Sequence, residues 1–242
     1  MRPGMLSKRL QTVADMVTSG NRVCDVGCDH GYVSIYLVKQ GISPGVLAMD
    51  VRKGPLKAAR EHVVKQGLSD KIETRLSDGL HNYSIGEARS LICAGMGGRL
   101  MRQILEEEKD KTDSFQELIL QPQSEIEEFR RFLRENAYLI QDEEILEEDG
   151  KFYQVMRAVP AGRQAESPED ELCKLKDRYG PVNLHKKTGV FLSYLLREQK
   201  IYGEILENLR ENGLSDEKRR VRYAQVEELL RDCQKVLALL YG

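Results

Sequence analysis

The order of elements in this sequence predicts an α/β protein in two parts. A doubly wound domain on a mostly parallel seven-stranded sheet comes first, and an α-helical domain paired as an antiparallel coiled coil follows. Three observations predict this. From residue 5 to about 136, short apolar runs alternate with amphipathic segments, the pattern of strands joined by crossover helices. Residues 138–159 then read as two extended runs around Asp149-Gly150, a closing antiparallel hairpin. After a polar stretch at 161–171 with Gly162, Ser167 and Pro168, the apolar residues take up 3- and 4-residue steps. The domains are expected at residues 1–160 and 161–242.

The elements follow in order. Leu6, Leu10, Val13 and Val17 put one apolar stripe on a helix over 5–18. Strands are expected at 22–26, 45–50, 72–78, 90–95 and 117–122. The unbroken apolar run Ser90–Gly95 marks a strand buried on both faces. Helices fill the gaps at 32–40, 55–67, 98–107 and 124–136. Pro55 suits a first turn and Gly67 a stop. Ser124 with Glu127 predicts a capping box. In the C-terminal part, Val190, Tyr194, Ile201, Ile205 and Leu209 predict one helix face. Val226, Leu229, Cys233, Val236 and Leu240 predict its partner, with the turn at Asn212-Gly213.

Composition narrows the classes. The 242 residues carry 37 basic and 39 acidic side chains, a net charge of −2. Neither part is strongly basic: residues 161–242 hold 15 basic and 14 acidic residues. Charge alone therefore does not point to nucleic acid. No apolar run approaches the roughly 18 residues of a membrane span, and the N-terminus lacks the apolar core of a secretory signal. No membrane association and a cytoplasmic location are expected. The five cysteines are odd in number and irregularly spaced, so neither a disulfide framework nor a metal site is expected.

The segment "RVCDVGCDHGYVSIYL" (22–37) carries the chemistry. A dinucleotide turn reads G-x-G-x-x-G, because the backbone must approach a pyrophosphate. Here Gly27-Cys28-Asp29-His30-Gly31 lacks the middle glycine, and Asp29 would set a carboxylate against two phosphates. An acid in that place suits a cofactor whose reactive end is cationic, such as S-adenosylmethionine with its sulfonium and ammonium groups. Asp25 can hold the loop or meet the ammonium. Asp50, about 20 residues on, can accept from ribose hydroxyls. Asp78 can accept from the adenine amine, with Gly79 leaving room for the ring. The fourth strand runs into Ala94-Gly95-Met96-Gly97-Gly98, where three glycines permit close backbone approach. Gln121 ends the fifth strand with a donor and an acceptor to offer an acceptor base.

Together, "LSKRLQTVADMV", "CDVGCDHGYVSIYLV", "AMDVRKGPL", "SDGL", "ICAGMGG", "LILQPQ" and "RYGPVNL" resemble the TrmK family of bacterial tRNA (adenine-N1)-methyltransferases over most of the chain. The resemblance implies a Rossmann-like class I methyltransferase domain and S-adenosyl-L-methionine as cofactor. It also implies methylation at N1 of adenine 22 in the tRNA D-loop, with the helical domain helping to grip tRNA. It assigns Asp25, Gly27, Cys28, Asp29, Gly31, Asp50, Val51, Asp78, Gly79, Ala94, Gly95 and Met96 to the cofactor, and makes Asp29 and His30 the catalytic candidates. Tyr32 could stack on a base extruded from the tRNA. Arg2, Lys8, Arg9, Gln121, Lys186, Lys187, Lys218, Arg219 and Arg220 are the candidates for tRNA, with Arg52 and Lys53 at the mouth. Gln123 stands where the family pattern has Asn. A monomer is expected, with a dimer through the helical arm as the alternative. A protein or small-molecule acceptor, and an arm that mainly binds a partner, are the competing readings.

Overall fold

The computed structural model describes residues 6–162, 171–211, 213 and 216–241. The chain divides into two compact units, Met1–Asp170 and Glu171–Gly242. The first holds strands β1 (Val23–Val26), β2 (Val46–Asp50), β3 (Ile72–Leu76), β4 (Ser90–Met96), β5 (Glu117–Pro122), β6 (Tyr138–Glu148) and β7 (Lys151–Pro160). Its helices are α1 (Lys8–Asp15), α2 (Tyr32–Lys39), α3 (Lys53–Lys65), α4 (Gly98–Glu107), α5 (Lys109–Thr112) and α6 (Ile126–Glu135).

The seven strands form one sheet in the order β3-β2-β1-β4-β5-β7-β6. The first five strands in that order are parallel, with Val23 opposite both Val46 and Ser90. β7 pairs antiparallel with both β5 and β6. Asp149 and Gly150 both take positive φ, 51° and 71°, which a tight hairpin turn requires. The chain winds outward from β1 to β3, then returns to place β4 on β1's other side. In such a sheet the ligand crevice opens beyond the carboxyl ends of the strands at that reversal.

Strand alternation sorts the core into two layers. Cys24, Leu47, Met49, Leu91, Cys93, Leu118 and Leu120 pack with Met101, Ile104 and Leu105 of α4 and Phe129, Phe132 and Leu133 of α6. Val23, Val46, Ala48, Ile92 and Ile119 pack on the other face with Val13 and Ala14 of α1, Leu37 and Val38 of α2, and Leu56, Ala59 and Val63 of α3. Asp25 falls on this second face by the same period of two. Helices thus cover both faces, the Rossmann-like arrangement expected.

Local details differ from expectation. α1 is shorter than 5–18, and α3 begins at Lys53, so that Pro55 lies within its first turn. The Ser124 capping box is not made: α6 starts two residues later, its N-cap is Glu125 at φ 52°, and the Glu127 carboxylate meets Arg131 at 3.2 Å. The Ser124 carbonyl accepts the Gly98 N–H at 3.1 Å. Arg130 is almost fully buried; its Nε donates to Glu143 at 2.7 Å and its guanidinium also meets Gln154. That network ties α6 to the β6–β7 hairpin.

The second unit contains α7 (Glu171–Tyr179), α8 (Pro181–Lys186), α9 (Gly189–Glu211) and α10 (Glu217–Tyr241). α9 and α10 run antiparallel. Tyr241 donates to the Thr188 carbonyl at 3.2 Å, Cys233 Sγ reaches the Leu195 carbonyl, and Arg210 lies over the Tyr223 ring. Val226, Cys233 and Val236 are buried on α10 as the pattern predicts. On α9 the buried positions are Phe191, Leu195 and Leu206, one residue on from the expected stripe. The shift follows from α7, whose Tyr179 packs its ring against Phe191 at 6.4 Å and so draws that side inward. Most of the expected linker, residues 163–170, lies outside the described residues. Among those described, no helix is long and apolar enough to cross a membrane.

Candidate active site

The turn after β1 is built on two left-handed glycines, Gly27 and Gly31, each at φ 74°. A Cβ at Gly27 would stand 2.7 Å from Met96 Cε, and one at Gly31 3.2 Å from Ala59 Cβ. The left-handed conformation favours glycine at both, and a Cβ at Gly31 would also press on Ala59. The amides of Gly27 and Cys28 both donate to the Met49 carbonyl, at 2.9 and 3.0 Å, and bend the chain away from the ladder.

Asp29 is itself left-handed, φ 49°, and its amide donates to Asp50 Oδ2 at 3.1 Å. Asp50 is 3% exposed at the end of β2, and its Oδ1 accepts the Arg52 amide at 2.8 Å. Each of its oxygens keeps a second lone pair for a hydroxyl donor. The Asp29 side chain turns outward, 58% exposed, with Arg52 Nη2 at 3.5 Å and His30 Nε2 at 3.7 Å. Asp29, His30, Asp50 and Arg52 are therefore one cluster. Val51, between two of them, is exposed.

His62 of α3 joins this cluster, and no signal in the sequence marked it. Its Nδ1 lies 3.0 Å from the His30 carbonyl, a separation at which the ring N–H donates. Its ring stacks on Tyr32 at 5.3 Å, with half of Tyr32 in solvent.

Asp25 faces the opposite way. It is 4% exposed, and its Oδ2 accepts the Ser34 hydroxyl at 2.6 Å. Burial raises its pKa to about 6, against the Ser34 hydrogen bond, which lowers it; the nearby Asp50 raises it further. The Ser34 bond ties the end of β1 to α2. Cys28 and Cys93 are buried thiols, and desolvation pushes Cys93 up to about 12 and Cys28 higher still. Neither is a nucleophile at neutral pH. All five cysteines are free. Among the described residues, no group of three His, Cys, Asp or Glu could hold a metal ion.

Asp78 lies two residues beyond β3, exposed, and lines a pocket with Gly79, Ile104 and Glu108. A Cβ at Gly79 would sit 3.2 Å from Ile104. Across the reversal, β4 bulges between Ala94 and Met96, and Gly95 turns left-handed at φ 79°. Met96 spans the gap to Gly27, so the two walls touch.

Gln121 departs from expectation. It is neither solvated nor open to an acceptor, but fully buried. Its Oε1 accepts from Arg9 Nη1 at 2.7 Å and from the Gly95 amide at 3.1 Å, while Nε2 donates to the Pro122 carbonyl at 3.1 Å. Its neighbours leave no place for a base. Arg9 also lies over the Tyr153 ring at 5.5 Å. Lys8 Nζ donates to the Glu147 carbonyl at 3.2 Å. Arg2 lies outside the described residues.

The basic residues of the second unit fall into two groups. Lys186 ends α8 and Lys187 follows it, whereas Lys218, Arg219 and Arg220 occupy the first turn of α10. The 23 residues of α9 separate them, roughly 34 Å at 1.5 Å per residue. Arg220 pairs with Glu217 at 2.9 Å, and Arg219 reaches the Gly213 carbonyl at 3.4 Å.

The donor set can be tested against the expected cofactor. Three acids border the turn. Carboxylates attract a sulfonium and an ammonium and repel a pyrophosphate, so the residues fit S-adenosylmethionine.

Comparison with known proteins agrees. Residues 6–156 match the family model described as a methyltransferase domain. The tRNA (adenine(22)-N(1))-methyltransferase of Bacillus subtilis (strain 168) is 39% identical over 204 residues, 83% of this chain and 85% of that protein. The crystal structure of the B. subtilis M1A22 tRNA methyltransferase TrmK superposes with a TM-score of 0.84 at 34% identity, covering 97% of this chain and 99% of that one. Sp1610 of Streptococcus pneumoniae, in complex with S-adenosyl-L-methionine, has a TM-score of 0.82 at 31% identity, covering 96% and 100%.

Proposed function

We propose that this chain, which belongs to the family of the tRNA (adenine(22)-N(1))-methyltransferases, transfers a methyl group from S-adenosyl-L-methionine to N1 of adenine 22 of tRNA. The observation that carries the reading is the acid-centred glycine turn, pinned to Asp50 through the Asp29 amide. S-adenosylmethionine, when bound, supplies an electrophilic methyl on a cationic sulfur.

The cradle of Gly27 and Gly31, Asp50 at the ribose, and Asp78 with Gly79 at the adenine are the assigned cofactor contacts. Asp25 sets the turn through Ser34. The Ala94-Gly95-Met96 wall faces the acceptor. Adenine N1 attacks with its own lone pair, so no residue has to remove a proton first. The protein's work is alignment and exclusion of water. Methylation leaves the base cationic, and a fixed carboxylate beside it lowers the barrier. We assign that role to Asp29, whose backbone is fixed while its carboxylate is exposed. His30 and Arg52 orient that carboxylate. The stacked Tyr32–His62 rings offer a face to an extruded base. Lys186, Lys187 and Lys218–Arg220 are assigned to tRNA phosphates. The acting unit we propose is the monomer. A tRNA acceptor puts the work in the cytoplasm.

The test is to incubate the protein with S-adenosylmethionine and a tRNA transcript, digest the RNA and identify the nucleoside. 1-Methyladenosine is expected, and it should vanish when position 22 is guanosine. A different methylated nucleoside, or label entering protein instead of tRNA, retires the reading.

A further inference from the structure

We propose that Arg9 is a positioning residue of the transfer reaction: acting through Gln121, it locks the left-handed Gly95 peptide and with it the wall that faces the acceptor. The proposal rests on the methyltransferase reading above.

The β4–β5 register shifts between Ala94 and Met96 just where the wall begins, so the regular ladder does not hold the Gly95 amide. That amide is held by Gln121 Oε1 instead, at 3.1 Å. A carboxamide presents oxygen on one side and NH2 on the other in nearly the same shape. Turned over, Gln121 would set its NH2 against the Gly95 N–H, donor against donor. Arg9 decides between the two states. A guanidinium only donates, so the atom facing Nη1 at 2.7 Å must be the oxygen. The Pro122 carbonyl takes Nε2 and completes the arrangement. Gln121 is fully buried beneath Arg9, so in the native fold its oxygen takes its partners from the protein.

Arg9 is itself braced. It lies in the first turn of α1, where the Glu148 carboxylate accepts the Lys8 amide, and its guanidinium rests over Tyr153. A side chain at position 95 would sit 3.3 Å from Arg9 Nη1. From Gly95 the constraint passes to Met96, whose methyl closes on Gly27 of the cofactor turn. Arg9 thus bears on the separation of the two walls between which the methyl moves, a distance to which such rates are steeply sensitive.

The test compares wild type, Arg9→Met and Arg9→Lys by steady-state kinetics on the tRNA transcript and by amide exchange of residues 93–98 without tRNA. Arg9→Met keeps the apolar stem over Tyr153 and removes the donor. Its kcat should fall about tenfold or more, with the KM for tRNA and its salt dependence unchanged. Exchange at 93–98 should quicken. Arg9→Lys, which still only donates, should recover most of both. A raised KM with kcat kept and a shallower salt dependence would mean that Arg9 binds a phosphate and would overturn the proposal. So would unchanged exchange in Arg9→Met. If the wild type does not methylate the transcript, the functional reading fails, and the exchange measurement still decides the role of Arg9.

Discussion

At Asp29 the backbone and the side chain have separate tasks, and substitution can separate them. The amide bonds Asp50 in a left-handed conformation that Asn also adopts readily. Asp29→Asn should therefore keep the turn and remove only the charge. We expect kcat at saturating cofactor to fall by on the order of a hundredfold, the low end of what removing one preorganised partner costs. Full turnover would dismiss the charge-stabilising role. Asp25, four residues earlier, makes a different prediction. Its pKa is raised to about 6 in the fold from an ordinary value of 3.8, so between those values the native state binds more protons than the unfolded chain. The contribution of this group to stability is full below pH 3.8 and is lost as pH rises through about 6. Asp25→Asn does not ionise. Relative to wild type, the cofactor-free variant should gain stability between pH 4 and pH 7, on the order of 2 kcal/mol. Urea unfolding of both proteins at the two pH values checks this. An equal difference at both would show that Asp25 is not the group responsible.

Among the elements, the helices of the second unit carry the clearest prediction. Because α9 separates Lys186 and Lys187 from Lys218, Arg219 and Arg220 by roughly 34 Å, the two groups cannot share a phosphate. Neutralising either should weaken tRNA binding, with the slope of log affinity against log salt falling by roughly 0.7–0.9 for each phosphate left without its cation. Neutralising both should be additive, and kcat at saturating tRNA should not change. An unchanged slope would leave those residues as a solvated face. The same elements show where sequence pattern misleads. On α10 the period of Val226, Cys233 and Val236 identified the buried face, although α7 reaches this helix as well, through Arg178–Asp232 and Glu171–Lys235. On α9 the buried face moved by one residue because Tyr179 packs on Phe191 from a third helix. The Ser124-x-x-Glu127 motif met every local requirement for a cap. It is not made, because Glu125 turns left-handed and the helix starts only at Ile126, a backbone course that no local pattern encodes.

For the whole molecule, the sequence by itself determined the alternation of strands and helices, the final hairpin and the glycine turn. These depend on side-chain period and on backbone conformations that few residues tolerate. Gly27 and Gly31 could be placed in the turn because both period and turn chemistry are local properties. The acids at the strand ends were legible for the same reason. Their directions were not: Asp25 points into the α2 face, Asp50 holds the neighbouring turn, and Asp29 stands in solvent. Only the tertiary structure decided these, along with the place of His62 beside His30 and the burial of Gln121 beneath Arg9. The strand order β3-β2-β1-β4-β5-β7-β6 brings together residues up to 140 positions apart. Such pairings arise when distant apolar faces find one another, and period and propensity along the chain do not record which polar group each then meets.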